Sequence, residues 1–214
     1  MSSAARTILV TGFEPFGGET VNASWEAAKT LEGWAHDDFA AVVRLMPCAY
    51  ESSIRTLIHA IEAARPSALL MTGQAARRAA VSVERFARNL NDAARPDNEG
   101  VLRKAARISE GAPARLEATA PAGAIARAMR EAGIPARLST DAGGFVCNHL
   151  YFGALAHLSR KGSAIPAVFV HLPATPGQTP PGASAKRMSP ERAAEALRIA
   201  AAVLMDLSKS VAAA

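Results

Sequence analysis

The chain has 214 residues, half of them apolar and a fifth charged, the composition of a globular protein long enough to bury a core without disulfide or metal staples. Its formal net charge is +5, but the arginines are dispersed and no aromatics interleave with them, so a solvated surface accounts for the charge better than nucleic-acid binding does. The two cysteines, Cys48 and Cys147, form no disulfide framework and have no zinc-ligand spacing, and no apolar run approaches the ~20 residues of a membrane span. Met1 to Arg6 run directly into an apolar strand without a signal-peptide core. The expectation is a cytoplasmic protein that needs no metal, cofactor, nucleic acid or membrane.

Along the chain, short apolar runs alternate with helical patterns. Thr7–Thr11 reads as a buried strand that stops at Gly12, and a loop from Gly12 to Thr20 carries Pro15 and the pair Gly17-Gly18. Asn22 or Ser24 is a good N-cap for a first helix. Ala41–Met46 is a second strand, ended by Pro47. Ile54, Leu57, Ile58 and Ile61 recur at the spacing of an amphipathic helix. Ala68–Thr72 is a third strand, and Val81–Glu84 alternates like a fourth. Pro96–Gly100 has turn chemistry, and residues 101–119 read as irregular or antiparallel structure. Pro121 opens a helix at its first position and Gly133 closes it. Arg137–Thr140 is a short strand, a helix runs from about Cys147 to Leu158, Ala167–Leu172 is another buried strand, and Ser189-Pro190 starts a last helix that reaches about Leu207. Strands separated by helices predict an α/β fold: one domain over residues 1–214, a three-layer α/β/α sandwich around a mainly parallel twisted sheet. Ligands of such sheets bind beyond the carboxyl ends of the strands. The Pro173–Pro181 segment, rich in Pro, Gly and Thr, is either a lid or a plain connection.

Several residues could do chemistry, each with a plainer alternative. Cys147 follows the glycine-rich turn Ala142-Gly143-Gly144-Phe145. At a helix N-terminus its thiolate would be favoured, and the free N–H groups there could hold an oxyanion. It could equally be an inert buried cysteine. His171, at the end of an apolar strand, is a general base or a core histidine. His149, two residues beyond Cys147, is the rival base, although that spacing points it elsewhere on a helix. Glu84, at a strand end, orients a histidine or forms an ordinary ion pair.

The surrounding words are more specific. Thr11-Gly12-Phe13-Glu14-Pro15-Phe16-Gly17-Gly18 with Asn22-Ala23-Ser24 resembles the N-terminal signature of the pyroglutamyl peptidase I (pyrrolidone-carboxylate peptidase) family. Gly73-Gln74-Ala75, Val83-Glu84-Arg85, Asn89, Asp92 and Pro96-Asp97-Asn98-Glu99-Gly100 look like its glutamate segment. Ala142-Gly143 with Val146-Cys147-Asn148-His149 looks like its cysteine segment, and Phe169-Val170-His171-Leu172-Pro173 with Pro176 and Gln178 like its histidine segment. The four blocks stand in the family's order from residue 7 to residue 178. The resemblance implies a cysteine peptidase that removes N-terminal pyroglutamate from peptides through a thioester, with Cys147 as nucleophile, His171 as base and Glu84 as the carboxylate that orients the base. It further implies that Phe13 and Phe16 sandwich the lactam ring, that Gln74 hydrogen-bonds the lactam, and that the chain forms a homo-oligomer, a tetramer in many members.

Three departures qualify the resemblance. Ala76-Arg77 stands where the family usually has two glycines, and the added side chains are expected to narrow the loop beside the lactam. Gly144-Phe145 replaces Thr-Tyr, removing a hydroxyl and loosening the turn. The family's arginine near the oxyanion aligns with Ala94, with Arg95 one residue later. On a strand, that shift points the side chain to the opposite face, so either a bulge lets Arg95 reach the site or that donor is missing and the enzyme is slow. Alternative readings are an amidohydrolase of the same fold acting on another lactam or small amide, or a silent homologue.

Overall fold

The computed structural model describes residues 6–178 and 187–212. Within them, a seven-stranded sheet is built from β1 (Arg6–Phe13), β2 (Ala35–His36), β3 (Phe39–Met46), β4 (Ala68–Gln74), β5 (Val81–Glu84), β8 (Ala136–Ser139) and β9 (Ala167–Leu172), in the order β2-β3-β1-β4-β9-β5-β8. A separate ribbon pairs β6 (Phe86–Arg88) with β7 (Arg115–Glu117). The helices are α1 (Ala23–Ala28), α2 (Tyr50–Ala64), α3 (Ala122–Glu131), α4 (Val146–Arg160) and α5 (Pro190–Ala212). No helix among the described residues is long and apolar enough to cross a membrane.

The sheet separates two apolar cores. Because side chains alternate across a strand, Ile8, Val10, Leu70, Val168 and Val170 face one side, where Ala27 of α1, Ile125 of α3 and Leu197 of α5 cover them. Leu9, Leu69, Met71 and Phe169 face the other, under Leu57 of α2 and Leu150 of α4. This is the expected α/β/α layering.

Most of the sheet is parallel: β1 with β3 and β4, β4 with β9, and β5 with β8. The pairing of β5 with β9 is antiparallel, which the alternation of strand and helix patterns did not reveal. The carboxyl ends of β3, β1, β4 and β9 therefore share one edge, whereas the carboxyl end of β5 points the other way. Glu84, the last residue of β5, lies level with Phe169, while Ser82 lies level with His171.

Strand β1 also runs past its expected stop at Gly12. A Cβ on Gly12 would lie 2.7 Å from the carbonyl oxygen of Ser24 and 2.9 Å from the Cα of Trp25. Glycine here is the condition for α1 to lie against the strand, which carries Phe13 to the strand's end instead of into a loop. The Phe13 N–H donates to Ser24 Oγ at 3.0 Å. Pro121 sits at the N-cap of α3, one residue before the helix proper. Within the Pro173–Pro181 segment, Gln178 ties the first half down: its Oε1 accepts from Thr175 N at 3.0 Å and its Nε2 donates to the Val21 carbonyl at 3.2 Å. Residues 179–181 of that expectation lie outside the described residues.

Gly12→Ala must push α1 off β1, since the opposing atoms are backbone. A loss of about 1–3 kcal/mol, the usual range for overpacking, is expected in the urea unfolding midpoint, with the m-value unchanged.

Candidate active site

The site begins as a row of neighbouring strand positions. Gly73 of β4, His171 of β9 and Ser82 of β5 lie side by side in register. Glu84 is diagonal to His171 across the antiparallel pair, within reach for long side chains. His171 Nδ1 meets Glu84 Oε1 at 2.8 Å. Glu84 is wholly buried and His171 is 4% exposed. A carboxylate accepts only, so Nδ1 carries the hydrogen and Nε2 is the basic nitrogen.

Glu84 does not stand alone. Arg78 Nη1 forms an ion pair with Glu84 Oε1, and Arg78 Nη2 donates to the Asp141 carbonyl at 2.7 Å. The Tyr151 hydroxyl donates to the Glu84 carbonyl at 3.0 Å. A buried carboxylate needs such partners, because its desolvation exceeds what a single contact returns. Arg78 follows the departing Ala76-Arg77 pair and has no role legible in the sequence. Nothing in its spacing announced that it reaches Glu84.

Cys147 arrives from above, as the second residue of α4. Asn148, wholly buried, bolts the start of this helix to the ribbon. Its Oδ1 accepts from Arg88 N at 2.8 Å, and its Nδ2 donates to the Arg88 and Leu90 carbonyls, both at 2.9 Å. Phe145, the N-cap, is extended and supplies no side-chain cap, so N–H groups of the first turn are left for a ligand. A Cβ on Gly73 would lie 2.7 Å from Cys147 Sγ. The missing side chain is the seat in which the thiol rests, beside His171.

These groups share a small cavity of about 110 Å³ with Phe13, Phe16, Gln74 and Phe145. Phe16 and Phe145 stand 5.8 Å apart, tilted by 41°. Gln74 Oε1 accepts from Ala23 N at 2.6 Å, which turns its Nε2 into the free donor. Asn22 and Cys48 also border the cavity. Phe145 and Cys48 carried no signal in the sequence, since each depends on which elements converge here.

The expected neighbours sort clearly. Glu84, Cys147, His171, Phe13, Phe16 and Gln74 come together. His149 does not join them: its Nδ1 accepts from Asn91 Nδ2 at 3.2 Å, its ring meets Tyr50 edge-on, and burial with Arg103 nearby pushes its pKa down to about 4. Arg95 is not among the residues that line the thiol cavity. Ala94 and Arg95 lie in a bend, not a strand, so the strand-face argument does not apply, and Arg95 Nη1 lies against Gly17, 2.5 Å from where a Cβ there would stand. Ala76 and Arg77 border an outer cavity and leave the inner one alone. Gly144 does not loosen the turn. A Cβ there would come within 2.7 Å of the Asp92 carbonyl oxygen, and Asp92 N donates to the Gly144 carbonyl at 2.8 Å. The loss of a side chain at Gly144 lets two backbones close on each other.

Burial sets the charge states. It pushes the Cys147 thiol up to about 12; Arg78 and the residue's own N–H oppose this, and Glu84 adds to it. Burial also pulls His171 below the ordinary histidine value, outweighing the opposite pull of Glu84. At neutral pH the pair rests as thiol and neutral imidazole, so the proton moves as the sulfur attacks.

Comparison with known proteins gives one answer. The family model described as pyroglutamyl peptidase matches residues 6–206. A pyrrolidone-carboxylate peptidase of Enterobacter sp. (strain 638) is 42% identical over 206 residues, 96% of this chain and 96% of the relative. The crystal structure of Bacillus amyloliquefaciens pyroglutamyl peptidase I is 40% identical, with a TM-score of 0.89 over 93% of this chain and 96% of that one. A mutant pyrrolidone carboxyl peptidase from Pyrococcus furiosus is 34% identical, with a TM-score of 0.87 over 94% and 98%.

Arg78 is the strongest influence favouring the Cys147 thiolate. Arg78→Ala is expected to slow alkylation of Cys147 by iodoacetamide at pH 8 by about three- to tenfold, one pKa unit being worth a factor of ten in thiolate. Peptide mapping of the labelled protein reads Cys147 and Cys48 separately.

Proposed function

The chain belongs to the pyroglutamyl peptidase family, and from that premise we propose that it releases N-terminal pyroglutamate from peptides with Cys147 as nucleophile, His171 as general base and Glu84 as the group that orients the base. The observation that carries the reading is the His171 Nδ1–Glu84 Oε1 bond of 2.8 Å beneath a thiol seated on Gly73, in one cavity with Phe13, Phe16 and Gln74.

The lactam ring lies between aromatic walls, and Gln74 Nε2 donates to its carbonyl. A neutral ring with one amide edge asks for apolar faces and few polar contacts. His171 Nε2 takes the Cys147 proton as Sγ bonds to the acyl carbon, and the carbonyl electrons move onto oxygen. The N–H groups at the start of α4 face that oxyanion; a single such donor is typically worth about 10²–10³ in rate. The tetrahedral species collapses: the C–N bond breaks, the imidazolium gives its proton to the leaving amine, and a thioester remains on Cys147. Water, deprotonated by His171, then attacks the thioester carbon; the C–S bond breaks, the imidazolium returns its proton to the Cys147 sulfur, and pyroglutamate departs. Glu84 keeps Nδ1 protonated throughout and stabilises the transient imidazolium.

Hydrolysis of a pyroglutamyl-coumarin amide should be present in the wild type and fall at least about 10³-fold in Cys147→Ser. Wild-type activity with a prolyl-coumarin amide in place of the pyroglutamyl one would contradict the reading. The acid limb of kcat/KM should lie below the ordinary histidine value, since burial keeps His171 neutral to lower pH. Glu84→Gln removes the interactions that raise the His171 pKa, so it should lower kcat and move that limb further to acid. A limb that moves to higher pH would exclude Glu84 from this role.

A further inference from the structure

The thiol cavity opens into a larger one of about 600 Å³. Phe16, Gln74, Gly144 and Phe145 border both. With the ring in the inner cavity and its acyl carbon at Cys147, the peptide that leaves must pass these four residues into the outer cavity. Two guanidinium groups, Arg77 and Arg95, stand on its wall. Neither has an ion-pair partner among the described residues. The wall also holds two carboxylates, but both are engaged. Asp92 Oδ1 accepts from Ala105 N at 3.3 Å, and Glu19 Oε2 accepts from Gln178 Nε2 at 3.3 Å. Both carboxylates keep their charge, so the wall is mixed in sign, but each is held by a neutral donor, whereas the two guanidinium groups have no such ion pair and are the cations a carboxylate ligand would meet.

Both stand on anchored backbone. Arg95 precedes the turn in which Asn98 Nδ2 donates to the Pro15 carbonyl at 2.9 Å, Asn98 N to the Cys48 carbonyl at 3.0 Å, and Tyr50 N to Asp97 Oδ2 at 2.8 Å. Arg77 sits in a turn closed by Arg78 N to the Ala75 carbonyl at 2.9 Å, next to the side chain that grips Glu84 and Asp141. Little backbone need be ordered on binding, which lowers the entropic cost of holding a ligand.

We propose that the outer cavity is a carboxylate-binding subsite for the departing peptide, read by Arg77 and Arg95. It rests on the pyroglutamyl-peptide reading above. Its ligands are peptides with Asp or Glu directly after pyroglutamate, or short peptides whose free C-terminal carboxylate falls at the same place. Guanidinium forks suit either source, because both present the same two oxygens.

The test compares substrates on the same protein, so the fraction of folded enzyme cancels. At low salt the wild type should cleave pyroglutamyl-glutamyl-alanine amide with a kcat/KM about two- to fivefold above that of the glutamine isostere, the range expected of exposed charge pairs. Pyroglutamyl-alanine with a free carboxylate, set against its amide, measures the second source. Either advantage supports the subsite and identifies the source. The advantage should shrink at about 0.5 M salt, where charges are screened within a few ångströms. The double variant Arg77→Ala/Arg95→Ala should bring the ratios to near one, and Arg77→Glu should reverse them. Wild-type ratios near one, or ratios that survive the double variant, overturn the proposal. A pyroglutamyl-coumarin amide carries no carboxylate and tests the parent reading separately. If it is cleaved while the ratios are flat, the subsite alone fails; if it is not cleaved, the parent reading fails and the subsite with it.

Discussion

A buried carboxylate beneath a histidine is the constraint around which this site is arranged. Glu84 is wholly buried, and a charge so placed is tolerated only with partners of good geometry. It has two, the His171 ring and the Arg78 guanidinium, both on Oε1. Leaving one member of such a group unpaired typically costs about 3–5 kcal/mol, so the arrangement resists rotation of the imidazole as well as supplying its charge. The antiparallel run of β5 puts the carboxylate there.

Absent side chains shape the rest. Gly73 clears space for Cys147 Sγ, Gly12 lets α1 lie against β1, and Gly144 lets the nucleophile turn meet the Asp92 backbone. In each case a Cβ would meet its neighbour at 2.7 Å, well inside contact distance, so glycine is required by closeness and not by turn conformation. Together with Asn148, which ties α4 to the ribbon, these contacts keep Cys147 and His171 on one cavity. Burial at the same place favours the uncharged forms of thiol and imidazole.

Much of this was legible in advance. Apolar runs ended by Gly or Pro located β1, β3, β4 and β9, alternation located β5, and the 3.6-residue period located α2. The resemblance of four words to one family gathered Glu84, Cys147, His171, Phe13, Phe16 and Gln74 before any geometry was available. Misreadings came where a residue's meaning depends on backbone geometry or on a contact that the order of residues does not display. Gly144 reads as a loosened turn until Asp92 is seen against it. Arg95 reads as a displaced oxyanion donor until the bend at 94–95 shows that no strand runs there. Arg78, only six residues from Glu84, carries no role in the sequence until its guanidinium is found on that carboxylate.

The sequence by itself determined the kind of layers, the family and the residues able to do chemistry, because those follow from local periodicity and from words short enough to be read in order. The tertiary structure alone decided that β5 runs against β9, that Gly73 seats the thiol, that Arg78 closes on Glu84, and that Arg77 and Arg95 stand together on the outer wall. Those facts rest on how separate strands, helices and loops pack against one another, with buried polar groups forced to find partners there, and packing of that kind is not written in the order of residues.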